Sequence, residues 1–208
     1  YRRMYGVVKS WPRETFTMAH MSGKVTIPIL AYDDSYLDGE QFRGRVKDSY
    51  MDVLSLDAFR AEFMGRQWGV MPFFLAQFDA QTYAKQVEPT RGMMALLLVH
   101  DVSVWADVCN VAVVDQVYAE VDAFGIIDAD FLPYFAAVPP AGTDMPDVLV
   151  SGYRRPDGRV LLVVANLSRE ERYGAVALNP DGLQLAAVSR VLSGETTLRE
   201  INKVTFVD

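Results

Sequence analysis

The sequence predicts an α/β region built on a parallel sheet, followed by an all-β region of short antiparallel strands. Three observations predict it. Apolar runs without polar alternation, Thr26 to Tyr32 and Gly69 to Phe78, read as strands covered on both faces. Helical stripes alternate with these runs, as in a sheet with crossover helices. From about Asp147 onward, short strands recur between turn signals, the texture of an antiparallel sheet or small sandwich.

Taken in order, Tyr1 to Ser10 reads as either a helix end or an amphipathic strand, broken by Trp11-Pro12. Thr15 to Met21 is a short strand ending near His20, with Ser22-Gly23 as its turn. Thr26 to Tyr32 is the next strand, and an acidic loop with Asp33, Asp34, Asp38 and Glu40 follows. Ser55 is placed to cap a helix whose Leu56, Phe59 and Phe63 share a face, with Gly65 as its stop. Gly69 to Phe78 is a strand ending in Gln77. A helix is expected from Thr90 and a strand over Leu96 to His100, with His100-Asp101 at its carboxyl end. Val111 to Phe124 carries the clearest helical stripe, closed by Gly125.

Pro133, Pro139, Pro140 and Gly142 mark a boundary within Phe131 to Met145. Strands are then expected over Asp147 to Arg154 and Arg159 to Leu167, joined by a Pro156-Asp157-Gly158 turn. Gly174 to Leu178, Leu183 to Leu192 and a segment near Val204 complete the set. Asn179-Pro180-Asp181-Gly182 and Ser193-Gly194 are read as turns.

Composition narrows the function classes. A chain of 208 residues, half of them hydrophobic, is long enough to bury a real core. The net charge of −7 argues against nucleic acid, because phosphate binding needs a basic face. The acidic excess lies in residues 1–138, while 139–208 is nearly balanced, which supports two domains. No apolar run approaches the roughly 18 residues of a membrane span. The single cysteine, Cys109, excludes an internal disulfide framework and reads as a small buried hydrophobe. No signal peptide is visible. A chain beginning at Tyr1 is read as a processed or partial product, compatible with an upstream export signal and a secreted or periplasmic location.

In parallel sheets and barrels, chemistry gathers beyond the carboxyl ends of the strands. His20, Asp33, Asp34, Gln77, His100 and Asp101 are read in that class of position. Consecutive Asp33 and Asp34 point to opposite faces of an extended chain, so one faces the rim while the other caps a helix or pairs with Arg43 or Arg45. Gly39 between Asp38 and Glu40 allows a tight turn that aims Glu40 into the site; a solvated loop is the alternative. His100 is either a proton-handling rim residue or a satisfied structural histidine, and Trp105 either stacks on a ligand or packs in the core. Asn166-Leu167-Ser168 matches a glycosylation sequon but is read as a turn. The histidines and acids lack close ligand spacing, so no metal site and no cofactor are expected.

The stretches HMSGKVTIPILAYDDSYLDGE, LDAFRAEFMGRQWGVMPFFL, TRGMMALLLVHDVSVW and VLLVVANLS, in that order, resemble the C-terminal part of a (β/α)8-barrel glycoside hydrolase with its β-sandwich. More narrowly they resemble the family 123-like glycoside hydrolases of bacteria. The likeness covers most of residues 15–167. It implies a partial barrel of about four strands over 1–138 and an antiparallel β-sandwich over 139–208. A whole barrel takes about 250 residues, so the first half would lie upstream of Tyr1. The family uses an adjacent Asp-Glu pair assisted by the acetamido group of the substrate. No such dipeptide stands at a strand end here; Asp33-Asp34 is the nearest analogue, and the family pair is expected upstream.

The resulting expectation is a carbohydrate-active protein that hydrolyses a glycosidic bond of an oligosaccharide or glycoconjugate by carboxylate acid/base chemistry. Asp33, Asp34 and Glu40 are the catalytic candidates. His20, Asp38, Gln77, His100, Asp101 and Trp105 are the substrate-binding candidates. The alternative is a non-catalytic glycan-binding or structural fragment that joins a partner half or self-associates through unpaired strand edges.

Overall fold

A computed structural model describes residues 1–21, 24–64, 69–79, 81–82, 85–183 and 205–206. The chain forms two compact units: Tyr1–Gln86 with Val102–Val111, and Val87–Asp101 with Ala112–Asp208.

The first unit is a parallel four-stranded sheet. It opens with helix α1 (Arg2–Lys9), whose last turn is closed by Ser10 Oγ donating to the Val7 carbonyl at 2.7 Å. Strand β1 (Met18–His20), helix α2 (Ile27–Leu30), strand β2 (Ser35–Asp38), helix α3 (Leu56–Phe63), strand β3 (Met71–Gln77) and strand β4 (Ser103–Val108) follow. The strands lie in the order β1-β2-β3-β4, each parallel to the next. Ser55 caps α3 as expected, its Oγ accepting from the Ala58 amide at 3.2 Å. The helix ends at Phe63, and the expected stop at Gly65 and turn at Ser22-Gly23 lie outside the described residues.

The register divides the sheet into two faces. On one, Ala19 aligns with Tyr36 and Asp38 with Phe74, and this face carries the helices. Phe59 and Phe63 of α3 set their rings 6.0 and 4.8 Å from that of Phe74, and Leu30 of α2 packs with Ala19 and Tyr36. The opposite face aligns His20 with Leu37, Leu37 with Phe73, and Leu75 with Trp105. Trp105 is 49% exposed and Met71 is 51% exposed.

Two expectations are corrected in this region. Thr26 to Tyr32 is not a strand: Ile27–Leu30 is a helical turn with Pro28 in its first positions, where the missing N–H costs nothing. The strand is Ser35–Asp38, inside the stretch read as an acidic loop, with all four residues buried. Leu96 to His100 is likewise no strand, because helix α4 runs over Val87–Leu98 and the strand that follows is Ser103–Val108. Thr90 and Met93 through Leu98 are all buried, so the helix shows no amphipathic period to read.

The second unit places α4 and helix α5 (Val111–Phe124) with antiparallel strands. Gly125 closes α5 in the left-handed region, φ 83°, as its position predicts. Strands β5 (Asp130–Leu132), β6 (Ala141–Thr143), β7 (Val148–Arg154), β8 (Val160–Asn166), β9 (Val176–Leu178), the short helix α6 (Pro180–Leu183) and strand β10 (Thr205–Phe206) complete it. One sheet has the order β10-β8-β7-β5, and β6 pairs with β9. Tyr153, Leu161, Val163 and Ala165 pack against Ala95, Leu98 and Val99 of the α4 segment and Val121 and Phe124 of α5. The alternate residues Val148, Val150, Leu162 and Val164 pack with Ala141, Met145 and Leu183. Helices thus cover one face of this sheet. Leu183 to Leu192, expected as a strand, begins in α6 and otherwise lies outside the described residues. The expected break within 131–145 does not separate compact units: β5 pairs with β7, and Leu132 is buried beside Val150. Residues 112–138 belong with the antiparallel sheet.

Candidate functional site

The carboxyl edge of the parallel sheet collects polar groups that the strands deliver one by one. β1 ends in His20, β2 in Asp38 and β3 in Gln77; β4 carries Asp107 just before its end.

At the end of β2 the chain turns through Gly39, whose φ of +135° only glycine adopts readily. A Cβ there would lie 2.5 Å from the Leu75 carbonyl oxygen, so the backbones of β2 and β3 close tightly at this point. The turn leads into a 3₁₀ turn at Glu40–Phe42 and brings a Glu40 carboxylate oxygen to 3.5 Å from His20 Nε2. Both side chains are nearly half exposed. A histidine and a carboxylate at this distance can share a proton or orient each other toward a ligand.

Asp38 faces the other way. It is fully buried, and its Oδ1 accepts from the Gly39 amide at 2.9 Å. The same amide donates to Gln41 Oε1 at 3.1 Å, and Gln41 Nε2 donates to Glu62 Oε1 at 2.7 Å. The Glu62 side chain lies beside Asp38, and its backbone carbonyl accepts from the Tyr36 hydroxyl. Burial, then the neighbouring Asp38, push the Glu62 carboxyl up to about 8. Burial likewise raises the Tyr36 phenol.

One strand over, the pairing of β3 with β4 shifts between Leu75 and Gln77. The Gln77 amide donates to the buried Tyr50 hydroxyl at 2.6 Å, and Gln77 Nε2 reaches Asp107 Oδ2 at 3.4 Å. A bulge of this kind re-aims a side chain at a strand end. Asp107 and Trp105, two residues apart on β4, are both exposed. Comparison with family models, with curated proteins and with solved structures gives no match in any of the three.

The remaining expected site residues lie elsewhere. Asp33 and Asp34 precede β2 and so stand at the amino end of a strand, because the stretch before them, expected as a strand over Thr26 to Tyr32, holds α2 instead. Asp34 Oδ2 accepts from Lys9 Nζ at 2.8 Å, from the Thr17 amide at 2.7 Å and from the Thr17 hydroxyl at 2.9 Å. Its partner is Lys9, not Arg43 or Arg45, and the hydrogen bond from Lys9 holds its carboxyl below the usual range. Asp33 is buried and raised, by desolvation first and then by Asp34. His100 and Asp101 follow α4 in the second unit and precede β4 in the chain. His100 is buried, with Nδ1 2.7 Å from the Leu96 carbonyl and Nε2 3.0 Å from the Tyr134 hydroxyl. A carbonyl only accepts, so Nδ1 carries a proton, and both ring nitrogens have a partner. Asp101 takes a left-handed conformation, φ 59°, in the turn that ends this segment. Among the described residues no cluster of three or more His, Cys, Asp or Glu could hold a metal ion.

Sequence reasoning missed Glu62, Gln41 and Asp107. Glu62 stands three residues after Phe59 and beside Phe63, on the apolar face of its helix, and an acid there signals a buried partner. Asp107 follows Trp105 at strand spacing, a signal hidden by placing the strand too early.

Proposed function

We propose that the chain is a carbohydrate-active, glycoside hydrolase-like protein acting on an oligosaccharide or glycoconjugate. Its four parallel strands are an arc of a (β/α)8 barrel, and its antiparallel sheets are the accompanying β-sandwich. The observation that carries this reading is the Glu40–His20 pair at the carboxyl edge of a parallel sheet whose helices cover the opposite face.

In this reading Glu40 is the carboxyl group that moves a proton at the glycosidic oxygen, and His20 holds it in place. Gln77 and Asp107 hydrogen-bond sugar hydroxyls, and the exposed ring of Trp105 stacks on a sugar face. Glycoside hydrolysis needs a second carboxyl group. It is either Asp107 or a group on strands outside this chain. Asp33 and Asp34 take no part, because Asp34 is spent on Lys9 and Thr17 at the amino end.

The test is turnover of a panel of aryl glycosides, N-acetylhexosaminides included, by the full-length protein. Glu40→Gln is expected to lower kcat by about 10²–10⁴-fold, whereas a double D33N/D34N variant keeps its turnover per folded molecule. Undiminished turnover in E40Q would remove Glu40 from the mechanism. Sugar binding without turnover in the wild type would instead leave a glycan-binding module, which the half-exposed Trp105 also suits.

A further inference from the structure

Asp38 and Glu62 are the two carboxyl groups on the helix-covered side of the candidate site. They lie on consecutive elements, one at the end of β2 and the other in the last turn of α3. Two carboxylates repel, so a hydrogen bond between them requires one proton in the pair. Gln41 joins that pair to the Gly39 turn, because its amide donates to Glu62 while its carbonyl accepts from the Gly39 amide. Gly39 in turn presses on the Leu75 carbonyl with no room for displacement toward β3. The residue after it is Glu40.

We infer that Asp38 and Glu62 form a single-proton carboxyl pair which, through Gln41, positions the Gly39 turn and so holds Glu40 beside His20. Glu62 is thus a positioning residue for the reaction proposed above, and its importance for turnover rests on that reading. The positioning itself does not.

The surroundings of the pair support this role. Glu62 is faced from β2 by the Asp38 carboxyl and the Tyr36 phenol, and from the following turn by the Gln41 amide. β3, also packed on α3, presents the apolar ring of Phe74 to Phe59 and Phe63. Asp38 and Gln41 are the groups that bear on the ionisation of Glu62 besides burial. Loss of the Glu62 proton therefore places a negative charge beside the fully buried Asp38. The strain falls on the two acceptors that hold the Gly39 amide.

His20 supplies the readout, since the chain has two histidines and His100 belongs to the other unit. The imidazole signals of His20 are followed by NMR in the full chain from pH 6 to 10. A displacement of the His20 signals with a midpoint at about 8 is expected in the wild type. Glu62→Gln keeps a donor toward Asp38 and an acceptor for Gln41, and is expected to abolish this displacement while leaving the neutral-pH spectrum in place. Gln41→Leu cuts the link and is expected to abolish it as well. No His20 response near that pH in the wild type overturns the inference without any variant, and so does a response that persists in both E62Q and Q41L. Glycosidase turnover is measured separately. Its absence alongside a wild-type His20 response that E62Q removes refutes the proposed function and leaves the positioning pair standing.

Discussion

The carboxyl groups near β2 are sorted by which end of the strand they occupy and which face they turn to. Asp34 lies at the amino end and fastens Lys9 and Thr17, Asp38 is buried toward α3, and Glu40 emerges at the carboxyl edge beside His20. Asp34 gives a signed prediction. Its folded carboxyl titrates below the unfolded value near 4. Its contribution to stability is therefore fully present above that value and is lost as pH falls toward the folded one. An Asp34→Asn variant should melt at a lower temperature than the wild type at pH 7, with the difference shrinking below about pH 4. A melting difference that stays constant from pH 7 to pH 3 would show that the ionised form is not what stabilises. Glu62 has the opposite sign: its raised carboxyl costs stability as pH climbs from the ordinary value to about 8. Of these roles, only the aiming of Glu40 by Gly39 was legible in the sequence. Which end of the strand Asp33 and Asp34 occupy depends on where the strand lies, and residue types alone did not place it.

At the scale of elements, legibility followed exposure. α5 matched its expected bounds because its stripe of Val114, Val117, Val121 and Phe124 alternates with polar positions. α3 was recognised by the Ser55 cap. β2 was missed because Ser35 and Asp38 are polar yet fully buried, so the strand contradicts the period that would announce it. α4 was cut short for the reverse reason, being apolar on every side of its second half. That half is held by side chains rather than by sequence pattern. Ser151 Oγ donates to the Val99 carbonyl at 2.7 Å while accepting from the Tyr134 amide at 3.1 Å, and the Tyr153 hydroxyl donates to the Leu98 carbonyl at 2.8 Å. Carbonyls at a helix end need such donors when water is excluded. Ser151→Ala is expected to cost about 1–3 kcal/mol, because it orphans a buried acceptor and a buried donor at once. Denaturant unfolding measures it, and a cost within about 0.5 kcal/mol, the ordinary range for surface sites, would mean that water takes over both bonds.

For the molecule as a whole, the division into units decides where it can be cut. The expected boundary after Val138 would leave α4 and α5 without β7 and β8, whose Tyr153, Leu161, Val163 and Ala165 complete their core. A 1–138 fragment is therefore expected to lose the α4 and α5 helices. Amide exchange of residues 87–124 checks this: protection equal to that in the full chain would place the boundary where the prolines suggested. Prolines near 139 mark turns within one unit, and the contacts that cross them are invisible to composition. The chain moves between the two units at three points, after Gln86, Asp101 and Val111, so no single cut releases either intact.

The helix-end bonds of α4 also impose an order of events during synthesis. Ser151 and Tyr153 follow the carbonyls they satisfy by 52 and 55 residues. At about 5–20 residues per second, the ribosome delivers them about 3–11 s after α4 has emerged. For that interval the segment from Met93 to Val99, the most continuous apolar run of the chain, has none of its β-strand partners. A nascent chain of this protein therefore presents an uncovered apolar segment whose lifetime is set by translation speed, and slowing the codons between residues 100 and 150 would lengthen its exposure.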